Sequence, residues 1–257
     1  RLNYIIDNNY IGTDWQKEIL RRAYTQNYHA SIAGGGEKSS YNFSFLYNNE
    51  EGIVKNSYAE KLSFRTNTKY QFKDGLKGGA SFTLYNGNRT YIDKGLYTGV
   101  LTSALRADPV TEVWDYSTNT WGADQFSQVN NNPARNVYEA QFDNGYNNRF
   151  VTNIWGELNI LKDLTFKTQY SHEYNSIKRK TYLPEFFIST KELRNPSQLF
   201  DERIIQTNYI WSGYFNYKKE FGDHHIISML GIETQKMTST NIQSGAYDVP
   251  LDIASQY

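Results

Sequence analysis

The chain has 257 residues, enough for one large all-β domain or two smaller ones. Its 27 basic and 27 acidic residues give a formal net charge of zero, which argues against nucleic acid as a partner. Cysteine is absent, so disulfides and thiolate metal sites are excluded. No run of about 18 apolar residues occurs, which excludes a transmembrane helix but leaves membrane-spanning strands open.

The first part of the chain shows one short helical pattern followed by alternation. A helix is predicted from about Asp14 to Arg22, with Thr13 or Asp14 as its N-cap. The first predicted strand covers residues 24–33, and a glycine-rich turn at 34–38 follows it. In the second predicted strand, aromatic residues alternate with polar ones at Tyr41, Phe43, Phe45 and Tyr47.

The clearest alternation lies in the third predicted strand, residues 58–72. Its even positions are apolar or threonine: Leu62, Phe64, Thr66, Thr68, Tyr70 and Phe72. Its odd positions are polar: Lys61, Ser63, Arg65, Asn67, Lys69 and Gln71. Because successive side chains of a strand point to opposite faces, one face is apolar and the other polar. An Asp-Gly turn at 73–75 predicts a hairpin with residues 76–85, in which Phe72 lies opposite Leu76 across a three-residue loop.

Two further hairpins repeat this pattern. Strands at 150–160 and 164–174 are joined by a turn at 161–163, and Ile160 is predicted to lie opposite Leu164. The second strand of the last hairpin alternates less cleanly. The strands of that hairpin cover residues 209–217 and 226–232, and its turn covers residues 218–224. The sequence thus predicts about eight strands in four hairpins.

Short turns and long connections alternate along the chain. The long connections lie at 49–57, 87–148 and 177–206. If consecutive strands pair antiparallel, all short turns lie at one end of the sheet and all long loops at the other, as in outer-membrane barrels. A closed barrel is the β-structure that pairs every backbone group in lipid. The sequence therefore predicts an all-β, antiparallel transmembrane β-barrel wall, partial in extent, with long extracellular loops.

The connection at 87–148 is too long for a plain loop and too aromatic to be disordered. A short helix is predicted near Tyr97 to Arg106. Loop aromatics could stack on sugar rings, contact a partner protein or form the loop's own core. Four of them are candidate substrate or partner contacts: Trp114, Tyr116, Trp121 and Phe126. Acidic residues lie among them without the spacing of a calcium-binding loop, so no metal site is predicted.

Cationic and histidine side chains on the strands are predicted to face water. Lys61, Arg65 and Lys69 share the polar face of one strand and are predicted to be lumen-facing. There they would solvate a wide channel, guide an anionic solute or contact a plug domain. His29 and His172 are likewise predicted at polar lumen positions.

Several segments together form a recognisable pattern, dense over about residues 13–115 and looser beyond. They are Thr13-Asp14-Trp15-Gln16-Lys17-Glu18-Ile19, Gln26-Asn27, Ser31-Ile32-Ala33-Gly34-Gly35, Glu37-Lys38-Ser39-Ser40-Tyr41, Glu51-Gly52-Ile53-Val54-Lys55-Asn56-Ser57, Ala104-Leu105-Arg106-Ala107-Asp108-Pro109-Val110 and Val113-Trp114-Asp115. These segments resemble the SusC/RagA-type TonB-dependent outer-membrane transporters of Bacteroidota.

In that family a barrel of about 22 strands surrounds an N-terminal plug that contacts TonB. A SusD-like surface lipoprotein caps the barrel and helps to capture oligosaccharides or peptides. The resemblance therefore implies an importer in the bacterial outer membrane, in contact with its lipid. The plug and the TonB-contacting segment have no counterpart here. The chain is expected to be an internal piece of such a transporter, with 1–23 a post-plug linker and 24–257 a partial barrel domain.

Two other classes of protein fit part of the pattern. A secreted all-β glycan-binding module would use the same aromatic loops without a membrane. An outer-membrane barrel enzyme such as a lipase would need a nucleophile, a base and an orienting group. No G-x-S-x-G, H-E-x-x-H or phosphate-loop motif occurs in the sequence. The chain is therefore predicted not to be an enzyme, and no cofactor is predicted.

Overall fold

The computed structural model describes residue 6 and residues 12–96, 99–123, 132–189 and 192–252. Its elements follow one another in the order α1 (Trp15–Ile19), β1 (Thr25–Gly35), β2 (Ser39–Glu51), β3 (Tyr58–Lys73), β4 (Leu76–Thr90), α2 (Val100–Arg106), β5 (Trp114–Asp115), β6 (Thr120–Trp121), α3 (Pro133–Ala140), β7 (Asp143–Leu161), β8 (Leu164–Leu183), β9 (Phe186–Ser189), β10 (Glu192–Arg194), β11 (Gln198–Phe221) and β12 (His224–Tyr247). Among these residues, no helix is both long and apolar enough to cross a membrane.

One antiparallel sheet dominates the described part of the chain. Its eight strands pair in chain order, from β1 through β4 to β7, β8, β11 and β12, so β1 and β12 are its edges. The short turns all lie at one end of this sheet, and the long connections lie at the other. The small hairpins β5–β6 and β9–β10 lie within two of those connections. The prediction of an antiparallel β-wall built from four hairpins is confirmed.

The strands extend well past their predicted ends. The connection predicted at 177–206 is wrong as bounded, because β8 continues to Leu183 and β11 begins at Gln198. Beyond the apolar part of a strand both faces can contact water, so the hydrophobic alternation fades while the backbone pairing continues. Strand ends of this kind leave no hydrophobic signal in the sequence.

The pairs predicted beside two tight turns are wrong by one residue. Leu76 pairs with Lys73 rather than with Phe72, and the register shifts next to this pair. The loop between Lys73 and Leu76 therefore has two residues. One of them, Gly75, has φ of 75°, a backbone conformation that favours glycine. The same offset occurs at the β7–β8 turn, where the flanking pair is Leu161 and Leu164.

The sheet has one apolar face that runs across many strands. A single register row on five neighbouring strands consists of Phe45, Phe64, Leu84, Phe150 and Tyr174. The first three of these side chains are exposed although they are large and apolar. Exposed apolar surface of this extent marks an interaction site rather than a water-facing surface. In a membrane barrel, this face contacts the acyl chains.

His172 lies on this apolar face, so its predicted lumen position is wrong. It pairs with Thr152 on one side and Tyr209 on the other. Its ring stacks on the Tyr209 ring with centroids 4.7 Å apart, and the Phe150 ring packs against it edge to face. The imidazole is therefore packed among aromatic rings on the apolar face. His29, on the edge strand, points to the polar face as predicted.

The buried apolar core lies at the long-loop end, outside the sheet. Helix α1 contributes Trp15 and Ile19, which pack with residues from two connections: Val54, Val100, Ala104 and Val137. The helix is shorter than predicted, and Asp14 is its N-cap through a 3.1 Å hydrogen bond from the Lys17 amide. The Trp15 indole N–H donates to the Asp108 carbonyl at 2.9 Å. The described part of segment 1–23 is thus joined to the loops.

Candidate functional site

The site at the long-loop end is organised by the start of helix α3. Asn132 is its N-cap, because the side-chain oxygen accepts hydrogen bonds from the Ala134 and Arg135 amides. The Asn132 side-chain NH₂ also donates to the carbonyls of Val113 and Gly122, at 3.0 and 3.1 Å. One asparagine therefore fastens α3 to the residues that flank the β5–β6 hairpin.

The structure brings the two candidate tryptophans together. Trp114 and Trp121 pair across β5–β6, with ring centroids 5.2 Å apart and the rings nearly perpendicular. Trp121 also contacts Tyr138 at 5.7 Å, and the series continues through Phe142 to Tyr182 on β8. Both indoles are half-buried. They serve as packing anchors of the loop and still present surface to solvent.

Two clefts flank this tryptophan pair. One has a volume of about 660 Å³ and combines rings, including Tyr138 and Phe186, with the carboxylates of Glu185 and Asp248. The other measures about 600 Å³ and lies between the β5–β6 hairpin and β9. Both volumes fall in the range of small-molecule sites, roughly 300–1,000 Å³. The larger cleft offers flat apolar platforms together with hydrogen-bond acceptors.

The other two candidate contacts are placed differently. Tyr116 lies at the tip of the β5–β6 hairpin and is 88% exposed. Phe126 lies outside the described residues.

The tip of the β5–β6 hairpin is held by Asp115, whose carboxylate accepts hydrogen bonds from the Ser117 amide at 2.8 Å, the Ser117 hydroxyl and the Thr118 amide. These bonds hold the pKa of Asp115 below its usual value, the Ser117 hydroxyl contributing most.

This turn is expected to loosen in acid. Since the pKa of Asp115 is lowered in the folded state, the stabilisation is complete above the ordinary aspartate pKa and is lost as the pH falls through the lowered one. Amide exchange of Ser117 and Thr118, corrected for the intrinsic pH dependence, should rise as the pH falls below about 4. The Asp115→Ala variant should show fast exchange throughout. Equal protection in the two proteins at neutral pH would contradict this account.

A buried network of ions joins the two largest loops, and sequence analysis did not identify it. Arg135 is only 5% exposed; it contacts Glu139 at 3.0 Å and Glu192 at 3.4 Å. Arg194 contacts the same Glu139 at 2.8 Å. The guanidinium carbons of the two arginines lie 4.0 and 4.9 Å from the centroid of the Phe186 ring. The spacing of four residues between Arg135 and Glu139, which allows an ion pair on one face of α3, is the one feature of this network that the sequence indicates locally.

The three cationic candidates of β3 lie on the polar face, opposite the apolar row. Lys61, Arg65 and Lys69 are all exposed, and the Arg65 side chain donates to the Thr83 hydroxyl at 3.3 Å. Further along the same face, the Lys167 ammonium lies 5.2 Å from the centroid of the Trp155 ring. Among the residues that the structure describes, no group of three His, Asp or Glu side chains could hold a metal ion.

Comparisons with known proteins place this geometry in context. The TonB-dependent receptor P26 of Formosa agariphila is 28% identical over 257 residues, covering 95% of this chain and 24% of that protein. The TonB-dependent receptor SusC of Bacteroides thetaiotaomicron is 26% identical, covering 91% of this chain and 25% of that protein. A structure of the RagAB peptide importer in the open-open state superposes with a TM-score of 0.74 at 17% identity, over 92% of this chain and 26% of that one. No family model matches the chain.

These similarities distinguish a transporter wall from the two other classes considered, a secreted glycan-binding module and an outer-membrane barrel enzyme. The chain spans about a quarter of the length of the curated relatives it matches. Those relatives are receptors rather than enzymes, and TonB-dependent receptors lie in the outer membrane, so neither the secreted module nor the barrel enzyme is retained. Together with the two-faced sheet, they show that the chain is similar in sequence to TonB-dependent outer-membrane receptors such as SusC and shares its fold with part of the RagAB structure.

Proposed function

We propose that this chain supplies eight strands of the barrel wall of a TonB-dependent importer. The observation that carries the proposal is the two-faced sheet, in which the row through Phe64 and Phe150 faces one side and Lys61, Arg65 and Lys69 face the other. A barrel wall needs such a division between lipid and an aqueous lumen. The three cations would then line the channel or contact the plug.

The cleft beside Trp114 and Trp121 is proposed to contact the solute at the extracellular mouth. Indole faces are apolar platforms that stack on sugar rings or on apolar peptide side chains. Carboxylates such as Glu185 and Asp248 accept hydrogen bonds from sugar hydroxyls or from peptide N–H groups. The solute is therefore an oligosaccharide or a peptide. RagAB is a peptide importer, but at 17% identity this structural neighbour favours neither solute for the present chain.

Replacing Trp114 or Trp121 with alanine should weaken solute capture. Loss of one stacking ring costs about 1 kcal/mol, so apparent affinity should fall roughly five- to tenfold. The measurement is uptake by cells that carry the whole receptor, supplied separately with labelled oligosaccharides and labelled peptides. The solute whose uptake falls identifies the class.

The control for this experiment removes a tryptophan from the other side of the wall. Trp211 lies on the apolar face, in register with Tyr170, and Trp211→Phe should leave uptake unchanged at equal receptor levels. Unaltered uptake of both solutes by the Trp114 and Trp121 variants would exclude the cleft as a contact.

Two partners follow from the same proposal. The exposed hairpin tip that carries Tyr116 is proposed to contact a SusD-like surface lipoprotein, because an exposed aromatic on an ordered turn is a typical anchor. TonB would act through the plug region of the complete receptor rather than through this wall. Co-purification of the lipoprotein with the wild-type receptor, and its loss with Tyr116→Ala, would support the first contact.

A further inference from the structure

A cationic patch continues the apolar face beyond its aromatic end. On β8 this face reads Leu164, Phe166, Thr168, Tyr170, His172 and Tyr174, followed by Ser176, Lys178 and Lys180. The neighbouring strand β11 places Arg203 directly opposite Lys178. Arg203 is exposed, and Lys178 is partly so. The face that meets acyl chains lower down therefore becomes positively charged nearer the long loops.

The height of the patch can be derived from the register. Leu164 pairs with Tyr217, and Lys178 pairs with Arg203, so both cations lie 14 residues (178 − 164; 217 − 203) beyond the lowest apolar pair. At about 3.3 Å per residue and a strand tilt of about 40°, this corresponds to roughly 35 Å along the membrane normal. The apolar band of an outer-membrane barrel is about 25 Å tall. The patch thus lies about 10 Å outside the acyl chains, among the lipid head groups.

Two cations of the patch lie directly opposite each other in the sheet. Lys178 pairs with Arg203 in the register of the two strands, and it forms an ion pair with Asp201 at 3.1 Å. Lys180 lies opposite Asp201 on the same two strands. Like charges directly opposite in a sheet are unfavourable. A bound dianion that contacts both strands would remove the repulsion.

We propose that Lys178, Lys180 and Arg203 bind a phosphate group of a lipid in the outer leaflet. The guanidinium of Arg203 matches phosphate oxygens in bidentate fashion, and ammonium groups on flexible stems reach the same group from β8. The apolar row beneath the patch would contact the acyl chains of the same lipid. The inference rests on the outer-membrane location and on register, and it does not depend on which solute is transported.

The test uses the whole receptor that carries this chain, purified in detergent and mixed with vesicles of phosphatidylcholine containing bis-phosphorylated lipid A. Native mass spectrometry should show lipid A bound to the wild type. In the Lys178→Gln/Arg203→Gln variant, occupancy should fall at least fivefold. Lys73→Gln/Lys162→Gln removes two exposed charges at the short-turn end of the sheet and should leave occupancy unchanged.

Two further arms determine the source of the phosphate. Dephosphorylated lipid A should bind at least fivefold more weakly than the phosphorylated form, and millimolar inorganic phosphate should not displace the lipid. Equal binding of the two lipids, or full occupancy in the double variant, would overturn the proposal. Complete displacement by inorganic phosphate would overturn it too, because it would show an anion site that is not specific for lipid. Solute uptake, measured in parallel, tests the proposed importer function separately.

Discussion

Replacing Glu139 with alanine is expected to separate the two largest loops. This carboxylate accepts hydrogen bonds from Arg135 at 3.0 Å and from Arg194 at 2.8 and 3.2 Å, and it connects helix α3 to the β9–β10 hairpin. Removing it deprives Arg194 of this carboxylate and leaves Arg135 with Glu192 at 3.4 Å, in a largely buried site, a change that costs up to about 3–5 kcal/mol. Protection from amide hydrogen exchange should drop across residues 132–142 and 184–197 together.

The matched control lies in the same region. Glu185 is a carboxylate that lines the adjacent cleft, and Glu185→Ala should leave amide protection unchanged. The exchange rates of the sheet, from β1 to β4, should be alike in all three proteins. If only one of the two loops lost protection in Glu139→Ala, the network would not be what joins them.

Introducing arginine on the apolar face is expected to destabilise the barrel, whereas the same change one residue earlier should not. Phe82 is the seventh residue of β4 and pairs with Thr66 and Thr152, which places it near the middle of a membrane span of about 9–11 residues. Phe82→Arg should lower the unfolding free energy in lipid vesicles by about 2–4 kcal/mol. Ser81→Arg, on the polar face, should have little effect.

A second variant separates the charge from the loss of the ring. Phe82 stacks on Phe150 with centroids 6.5 Å apart, so part of the effect of Phe82→Arg is lost packing. Phe82→Leu removes the same stack without a charge and should cost only a small fraction as much. Equal destabilisation by arginine at positions 81 and 82 would show that the two faces of the sheet do not divide lipid from water.

The wall itself could be predicted because its signal is local. Alternation with a period of two fixes which side chains share a face, and short turns fix which strands are neighbours. The pairing of Phe64 with Leu84 therefore follows from the sequence. His172 has the parity of Tyr170 and Tyr174, so its position in the strand, and not its polar residue type, determines the face that it occupies.

The contacts among the long loops could not be predicted in the same way. Glu139 meets Arg194 across 55 residues of chain, and Trp15 meets Asp108 across 93. Such contacts depend on where the sheet places the loop ends, and no periodic pattern encodes them. The pairing of Trp114 with Trp121 was also invisible, because two-residue strands are too short to alternate. Prediction from sequence was therefore sound for the repeating wall and weak for the non-repeating loops above it.

The 24-residue strands of the β11–β12 hairpin have a consequence for the cell surface. At about 3.3 Å per residue and a tilt of about 40°, this hairpin rises roughly 60 Å, more than twice the height of the acyl layer. Its upper half therefore extends beyond the acyl layer on the side of the long connections. The Val249 carbonyl, just past the top of β12, accepts hydrogen bonds from Tyr182 and Ser197. The connections at this end of the sheet are therefore held well clear of the acyl layer.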